Sequence, residues 1–138
     1  MKTFMLILIL LPALPMEAAL AADASICNPG STIAYYPNGE LKSCPLKDVT
    51  VLSAVTCNGH AQAEFYELGT LKSCVSRNFF NYDGIVCNEY STISFYLSGK
   101  LEGCILARRV EVDGKTCDEF QPILLFEDGG LKSCTTPR

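Results

Sequence analysis

The sequence lacks most of the residue groupings on which enzymes and metalloproteins depend. His60 is the single histidine, so a nucleophile triad or a histidine-based proton relay has too few members. No two cysteines lie within four residues of each other, which is the usual ligand spacing of structural zinc, and no Cys-x-x-Cys-His segment exists for haem attachment. Walker and Gly-x-Gly-x-x-Gly loops are also missing. We therefore predict no metal, no cofactor and no catalytic residues.

Basic clusters and long apolar segments are equally scarce. The net charge is −4, which is the wrong sign for holding phosphates, so a nucleic-acid partner is not expected. The one long apolar run, residues 4–14, is shorter than the roughly 20 residues that a helix needs to cross a bilayer. We predict no membrane span.

The first 21 residues have the layout of a secretory signal peptide. Lys2 precedes the apolar run, and small residues follow it as far as Ala21, after which we place the cleavage. A membrane anchor and a lipid-modified Cys27 are weaker alternatives, the second because Ile26 stands where a lipoprotein signal has a small residue. The expected product is an exported chain, periplasmic or extracellular, whose residues 22–138 form a single domain.

The eight cysteines reveal an internal repeat. They stand at Cys27, Cys44, Cys57, Cys74, Cys87, Cys104, Cys117 and Cys134, with separations that alternate between 17 and 13 residues. The period of 30 defines units 27–56, 57–86, 87–116 and a truncated 117–138. Such a period marks a repeat protein in which each unit completes its neighbour's core.

Local patterns within a unit indicate β-structure. Residues 32–36 are rich in β-branched and aromatic side chains, Asn38-Gly39 signals a two-residue hairpin turn, and residues 40–44 form the return strand. A second, looser hairpin fits the variable segment before the next unit, where Gly84 and Gly114 occupy the column of Ala54. We predict an all-β fold: an antiparallel meander or solenoid-like sheet of four repeats held by disulfides.

A family resemblance is carried by the segment Tyr35-Tyr36-Pro37-Asn38-Gly39-Glu40-Leu41-Lys42-Ser43, which recurs in each unit. It resembles the cysteine-containing MORN-repeat variant of bacterial exported proteins of unassigned function. The resemblance implies a meandering antiparallel sheet and a binding or scaffolding role, with no catalytic residues. Departures are Glu102-Gly103 in the third unit and the missing second half of the fourth.

Two disulfide schemes respect the repeat. Pairing across 17 residues uses every cysteine, whereas pairing across 13 leaves Cys27 and Cys134 at opposite ends of the stack, too far apart for a bond. The first scheme is favoured, and an even cysteine count in an exported chain is typical of a disulfide framework.

One aromatic column is the candidate binding surface. If Asn38-Gly39 closes a two-residue hairpin, Tyr36 faces Leu41, while Ile33, Tyr35 and Cys44 share the core face. The column comprises Tyr36, Tyr66, Tyr96 and Phe126. It could hold a glycan, a peptide strand or another sheet, or it could serve packing between units.

The remaining polar candidates are predicted to be solvated. His60 lies in a turn. The carboxylates considered for acid–base chemistry are Glu64, Glu67, Glu111, Asp113, Glu127 and Asp128, all on turns or short strands.

We therefore expect a non-catalytic exported protein with a structural or interaction role and an unknown protein or polysaccharide partner. An inhibitor or immunity-type protein and a small glycan-active hydrolase are the alternatives. Open sheet edges also allow self-association.

Overall fold

The computed structural model describes residues 22–138 and shows an all-β chain. The predicted signal peptide, residues 1–21, lies outside the described residues. Within the described part, helical structure is limited to one 3-10 turn at Ala24–Ile26. No helix in this part is long and apolar enough to cross a membrane. The predicted all-β fold class is confirmed.

The largest element is an eight-stranded antiparallel sheet, two strands from each unit. Its strands are β1 (Ala34–Tyr35), β2 (Leu41–Pro45), β5 (Gln62–Phe65), β6 (Leu71–Val75), β9 (Thr92–Phe95), β10 (Leu101–Ile105), β13 (Pro122–Leu125) and β14 (Leu131–Cys134). Their spatial order equals their chain order, β1-β2-β5-β6-β9-β10-β13-β14, as expected for a meander. Among residues 22–138, β1 and β14 are the edge strands of this sheet.

Three two-stranded hairpins form a second layer. They are β3 (Thr50–Leu52) with β4 (Val55–Cys57), β7 (Phe80–Tyr82) with β8 (Ile85–Cys87), and β11 (Val110–Val112) with β12 (Lys115–Cys117). Val55 and Ile85 are buried in the same core as the main sheet. Because an isolated hairpin is marginally stable in water, each of these depends on the sheet beneath it.

The turn of each main hairpin has three residues instead of the predicted two. In the first unit the N–H of Tyr36 donates to the carbonyl of Glu40, at 2.8 Å, and the N–H of Gly39 donates to the carbonyl of Tyr36, at 2.9 Å. Gly39 has a φ of 88°, which is the geometry of a type I turn followed by a glycine bulge. The side chain of Asn38 accepts a further bond from the N–H of Glu40.

A bulge then changes the strand register. Tyr35 pairs with Leu41, but Ala34 pairs with Ser43, which leaves Lys42 as an extra residue. The same shift recurs between β5 and β6, β9 and β10, and β13 and β14. A bulge of this kind moves the following residues to the opposite face of the strand.

The bulge places the repeated leucines in the core. Leu41 and Cys44 are three residues apart, so a regular strand would put them on opposite faces, yet both are buried. The predicted facing of Tyr36 and Leu41 is wrong, since Leu41 pairs with Tyr35 instead. The leucine column therefore lies under the hairpin layer and not beside the aromatic row.

The second hairpin is tighter than predicted. Leu52 pairs with Val55 across only two residues, Ser53 and Ala54, which have φ values of 49° and 67°. Two consecutive residues with positive φ are typical of a type I′ turn. The corresponding turns of the next two units are Asp83-Gly84 and Asp113-Gly114.

Every disulfide joins cysteines separated by 17 residues. The pairs are Cys27–Cys44, Cys57–Cys74, Cys87–Cys104 and Cys117–Cys134, with Cα–Cα distances of 5.5 to 5.8 Å. No free cysteine stands among residues 22–138. In three of the pairs the first cysteine ends a hairpin of the second layer and the second lies on a main strand. Each of these three bonds therefore fastens one layer to the other.

Removing one layer-to-layer bond should weaken the fold measurably. We expect Cys57→Ala with Cys74→Ala to lower the free energy of unfolding by about 3 kcal/mol. The reason is that the bond closes a loop across a separation of 17 residues in the unfolded chain. Denaturant titration measures the loss. Non-reducing peptide mapping of the wild-type protein is the companion measurement, and a Cys44–Cys57 peptide would contradict the pairing.

The type I′ turn of the first unit should be improved by glycine. Ala54 has a left-handed conformation that costs an L-residue about 1–2 kcal/mol, so Ala54→Gly is expected to stabilise the protein by about 0.5–1 kcal/mol after the greater freedom of unfolded glycine is subtracted. Gly84→Ala is the matched control at the equivalent position and should destabilise by about 1 kcal/mol. Thermal unfolding of both variants tests the pair; a destabilised Ala54→Gly variant would contradict the turn assignment.

Candidate functional site

The predicted aromatic row lies on the face of the main sheet opposite the hairpin layer. Phe65 is buried in the core, and its neighbour Tyr66 therefore points to the other face. Tyr36, Tyr66 and Tyr96 are half-buried, while Phe126 is exposed. The structure brings the four predicted residues together as one row at the turn ends of the strands.

The tyrosine hydroxyls are already engaged by the protein. Each donates a hydrogen bond to a backbone carbonyl 29 residues further along the chain. The three bonds run from Tyr36 to Phe65 at 2.8 Å, from Tyr66 to Phe95 at 2.8 Å and from Tyr96 to Leu125 at 2.7 Å. The tyrosines of this row thus hydrogen-bond neighbouring units to each other, as expected if the column serves packing between units. Among residues 22–138 no strand lies beyond β14, and there the column has Phe126, which carries no hydroxyl.

Charged side chains cover the aromatic rings. Lys42, Lys72 and Lys132 place their Nζ atoms 5.6 to 5.9 Å from the ring centroids of Tyr36, Tyr66 and Phe126. Each pair lies on one unit of the stack and has the geometry of a cation–π interaction.

The third unit differs, because Glu102 replaces the lysine. Burial and the negative charges of Glu102 and Glu127 raise the pKa of the Tyr66 phenol above its ordinary value of about 10, in that order of importance. The same causes, in the same order, raise the pKa of Tyr96. Both phenols consequently remain neutral donors at physiological pH.

The replacement of serine by Gly103 has a steric cause. A Cβ atom at Gly103 would lie 2.5 Å from a methyl carbon of Leu124 and 2.7 Å from the carbonyl oxygen of Ile123. Leu124 is itself exceptional, since Glu64 and Ser94 occupy its column in other units. The missing side chain at Gly103 therefore makes room for a larger neighbour on this face.

A second set of aromatic residues lies at the other ends of the strands. We define the turn ridge as His60, Tyr90 and Phe120, which occupy equivalent turns just before β5, β9 and β13. All three are exposed, Tyr90 to 56% and Phe120 to 62%. The first unit has Gly30 in this column.

The turn ridge is held in a strained backbone conformation. Gly30 has a φ of 79°, and the three ridge residues have φ values of 61°, 53° and 57°. A left-handed conformation costs an L-residue about 1–2 kcal/mol, and it is uncommon for bulky side chains. The N–H groups of His60, Tyr90 and Phe120 donate to the carbonyls of Leu46, Ser76 and Leu106 at 2.7 to 2.8 Å. The ring positions are therefore set by the same backbone bonds in each unit.

Polar side chains accompany the turn ridge. The Arg77 guanidinium lies 5.3 Å from the ring centroid of Tyr90 and donates to the Asn58 amide oxygen at 3.2 Å. Arg109 of the third unit and Asp118 of the last unit form an ion pair at 2.9 Å. Planar groups that donate and accept hydrogen bonds thus lie beside the Tyr90 ring and two residues before Phe120 in the chain.

A groove opens where core side chains become smaller. Between the hairpins β7–β8 and β11–β12 it has a volume of about 670 Å³. The edge-to-face pair Phe80–Phe95, with centroids 5.9 Å apart, corresponds to Val110 and Leu125 one unit later. Ile85 likewise corresponds to Lys115, which is exposed. The acidic residues at its rim include Asp113, whose carboxylate accepts a bond from the N–H of Leu131 at 2.7 Å.

The carboxylates considered for catalysis are dispersed over the surface. Glu67, Glu111, Asp113, Glu127 and Asp128 are exposed, and Glu64 is half-buried beside Lys72 at 3.7 Å. His60 is an exposed turn residue, as predicted. Among residues 22–138, no group of three or more histidine, cysteine or acidic side chains is arranged to hold a metal ion.

Sequence reasoning found the aromatic row but missed the turn ridge. His60 is predicted only as a solvated turn residue, although the 30-residue step from it leads to Tyr90 and Phe120. The turn ridge could have been found from the repeat column that begins with Gly30, because later units have bulky residues at a position where the first unit has glycine.

No family model, no curated protein and no solved structure matches the chain. The function is therefore inferred from the geometry of the molecule itself.

The inter-unit hydrogen bonds of the tyrosine hydroxyls should contribute to stability. We expect Tyr66→Phe to lower the free energy of unfolding by about 0.5–1.5 kcal/mol, the usual net value of a hydrogen bond. Phe126→Tyr is the matched control, because it adds a hydroxyl where no following strand supplies a carbonyl, and it should change stability little. Because the folded-state pKa of Tyr66 is raised, the contribution of this phenol to the free energy of unfolding should be fully present below about pH 10. It should be lost as the pH rises through the folded-state pKa. A Tyr66→Phe variant with a steeper alkaline loss than wild type would contradict this assignment.

Proposed function

We propose that the protein is an exported, non-catalytic recognition module that binds its partner through repeated surface side chains. The observation that carries the proposal is the common frame: four units repeat the same turns and bulges, while exposed positions of the turn ridge differ in chemistry. A frame of this kind presents varied side chains at regular spacing, as extended binding surfaces of repeat proteins do. The resemblance to MORN-like exported repeats points to the same class of role.

Export is supported by the redox chemistry of the chain. Eight cysteines form four disulfides, which persist in oxidising compartments and are rare in the cytosol. The leader-like residues 1–21 agree with that compartment.

A non-catalytic role is supported by the dispersal of the acidic residues. General acid–base chemistry needs groups within about 2.6–3.2 Å of the proton that they transfer, directly or through one water. The candidate carboxylates are mostly exposed and lie on different turns and strands. This arrangement disfavours a small glycan hydrolase.

An inhibitor that presents its turns to an exported enzyme is a second candidate function. Leu68 is 72% exposed at the tip of a main hairpin, and Leu97 is exposed on the next one. Together with Tyr36 and Tyr66 they line a shallow depression of about 420 Å³. Exposed apolar side chains at loop tips suit insertion into the pocket of another protein.

Recognition should depend on the disulfide-held frame. Oxidised protein and protein that has been reduced and alkylated are each immobilised and exposed to the exported fraction of the source organism. We expect capture of a partner by the oxidised form to fall at least tenfold on the alkylated form, because alkylation removes the frame but leaves the other side chains unchanged. Glu64→Gln with Glu67→Gln should bind like wild type. Turnover of a glycan by wild-type protein that disappears in this carboxylate variant would contradict the proposal.

A further inference from the structure

We infer that the turn ridge, His60, Tyr90 and Phe120, is a binding site for an extended neutral polysaccharide with β-1,4 linkages. The inference rests on the proposed recognition function and specifies its surface and the class of its ligand.

Folding does not account for the ridge side chains. Glycine fits the left-handed turn without strain, as Gly30 does in the first unit, whereas the three later units carry a histidine, a tyrosine and a phenylalanine there. Tyr90 and Phe120 remain more than half exposed, so burial does not offset the conformational cost. Strained residues whose side chains face solvent are typical of sites that bind something else.

The spacing of the ridge suits a repeating chain. The three residues precede β5, β9 and β13, and one strand separates each of these from the next. Neighbouring strands lie about 4.8 Å apart, so successive ridge side chains are about 10 Å apart across two such steps. An extended β-1,4-linked glycan turns each sugar over relative to the last, so the same face recurs every second sugar, at a distance close to this one. Each ring could then stack on an equivalent sugar face.

The surrounding groups suit uncharged sugars. Sugar rings offer apolar C–H faces for stacking on aromatic rings and hydroxyls for hydrogen bonds. Arg77, which donates to Asn58, lies over the Tyr90 ring, and the Arg109–Asp118 pair supplies planar polar groups two residues before Phe120 in the chain. The net charge of −4 disfavours polyanionic chains such as nucleic acid. A neutral glycan offers both the apolar faces and the hydroxyls that these groups can bind, and it carries no negative charge for the protein to repel.

The test uses two soluble probes, cellohexaose and chitohexaose, titrated into the oxidised protein and followed by calorimetry. We expect at least one of them to bind, and Tyr90→Gly with Phe120→Gly to weaken that binding at least tenfold. The same double variant should unfold at a temperature equal to or above that of wild type, because glycine relieves the strained turns. A side chain that only supports the fold would give the reverse, a lower unfolding temperature. Phe126→Ala, which removes an exposed ring from the opposite end of the strands, is the matched control and should bind like wild type.

Chemical-shift mapping of the wild-type protein gives an independent readout that needs no variant. Addition of the bound hexasaccharide should perturb the amides of residues 58–61, 88–91 and 118–121. Perturbation elsewhere, or equal binding by the glycine variant, overturns the assignment of the ridge while leaving a glycan-binding protein. Failure of both probes to bind, or stronger binding of phosphatidylcholine vesicles than of either sugar, overturns the glycan inference. In that case the capture experiment decides the recognition function separately.

Discussion

A buried disulfide between the hairpin layer and the main sheet is the constraint on which the rest of the structure depends. A two-stranded hairpin is marginal by itself, and β3–β4 and β7–β8 each end at a cysteine bonded to a strand below. The bond fixes where each hairpin lies, and the hairpin in turn covers the leucines that the strand bulges bring to the inner face. A chain of this size has a modest core for a domain. Covalent fastening of each unit therefore contributes stability that apolar burial alone would supply only in part.

The two ends of the strands have different roles. At the main-hairpin turns, Tyr36, Tyr66 and Tyr96 use their hydroxyls to bond the next unit, so their polar groups are already satisfied inside the protein. At the other ends, backbone N–H groups hold the turns in place, and the side chains of Tyr90 and Phe120 remain more than half exposed. The bonds between units and the exposed ridge side chains thus lie at opposite ends of the strands, which allows ridge residues to differ between units without disturbing the inter-unit bonds.

The units are not identical, and their differences follow the position in the stack. Toward the end of the chain the core loses apolar bulk, because Leu125 takes the place of Phe95 and the exposed Lys115 takes the place of the buried Ile85, and the groove between hairpins opens there. On the opposite face, the missing side chain of Gly103 makes room for the larger Leu124 on the neighbouring strand. Phe126, which has no hydroxyl, stands in the tyrosine column beside β14, the last strand among the described residues. The change at Gly103 therefore has a local steric reason.

The sequence by itself determined the repeat and the β-class, because these depend on spacing and on short-range preferences that the 30-residue period displays four times. It favoured the 17-residue disulfide pairing and left a meander and a solenoid-like sheet as alternatives, between which the structure decided. Tertiary structure alone decided the turn types and the strand faces. It placed the bulge at Lys42, through which Leu41 and Cys44 are both buried, and alternation along one regular strand cannot reveal that arrangement. It likewise decided which aromatic column is committed to packing, since the carbonyl that binds Tyr36 lies 29 residues away. The exposure of Tyr90 and Phe120 was hidden for the same reason: solvent access and positive φ are properties of the folded turn and not of the residue.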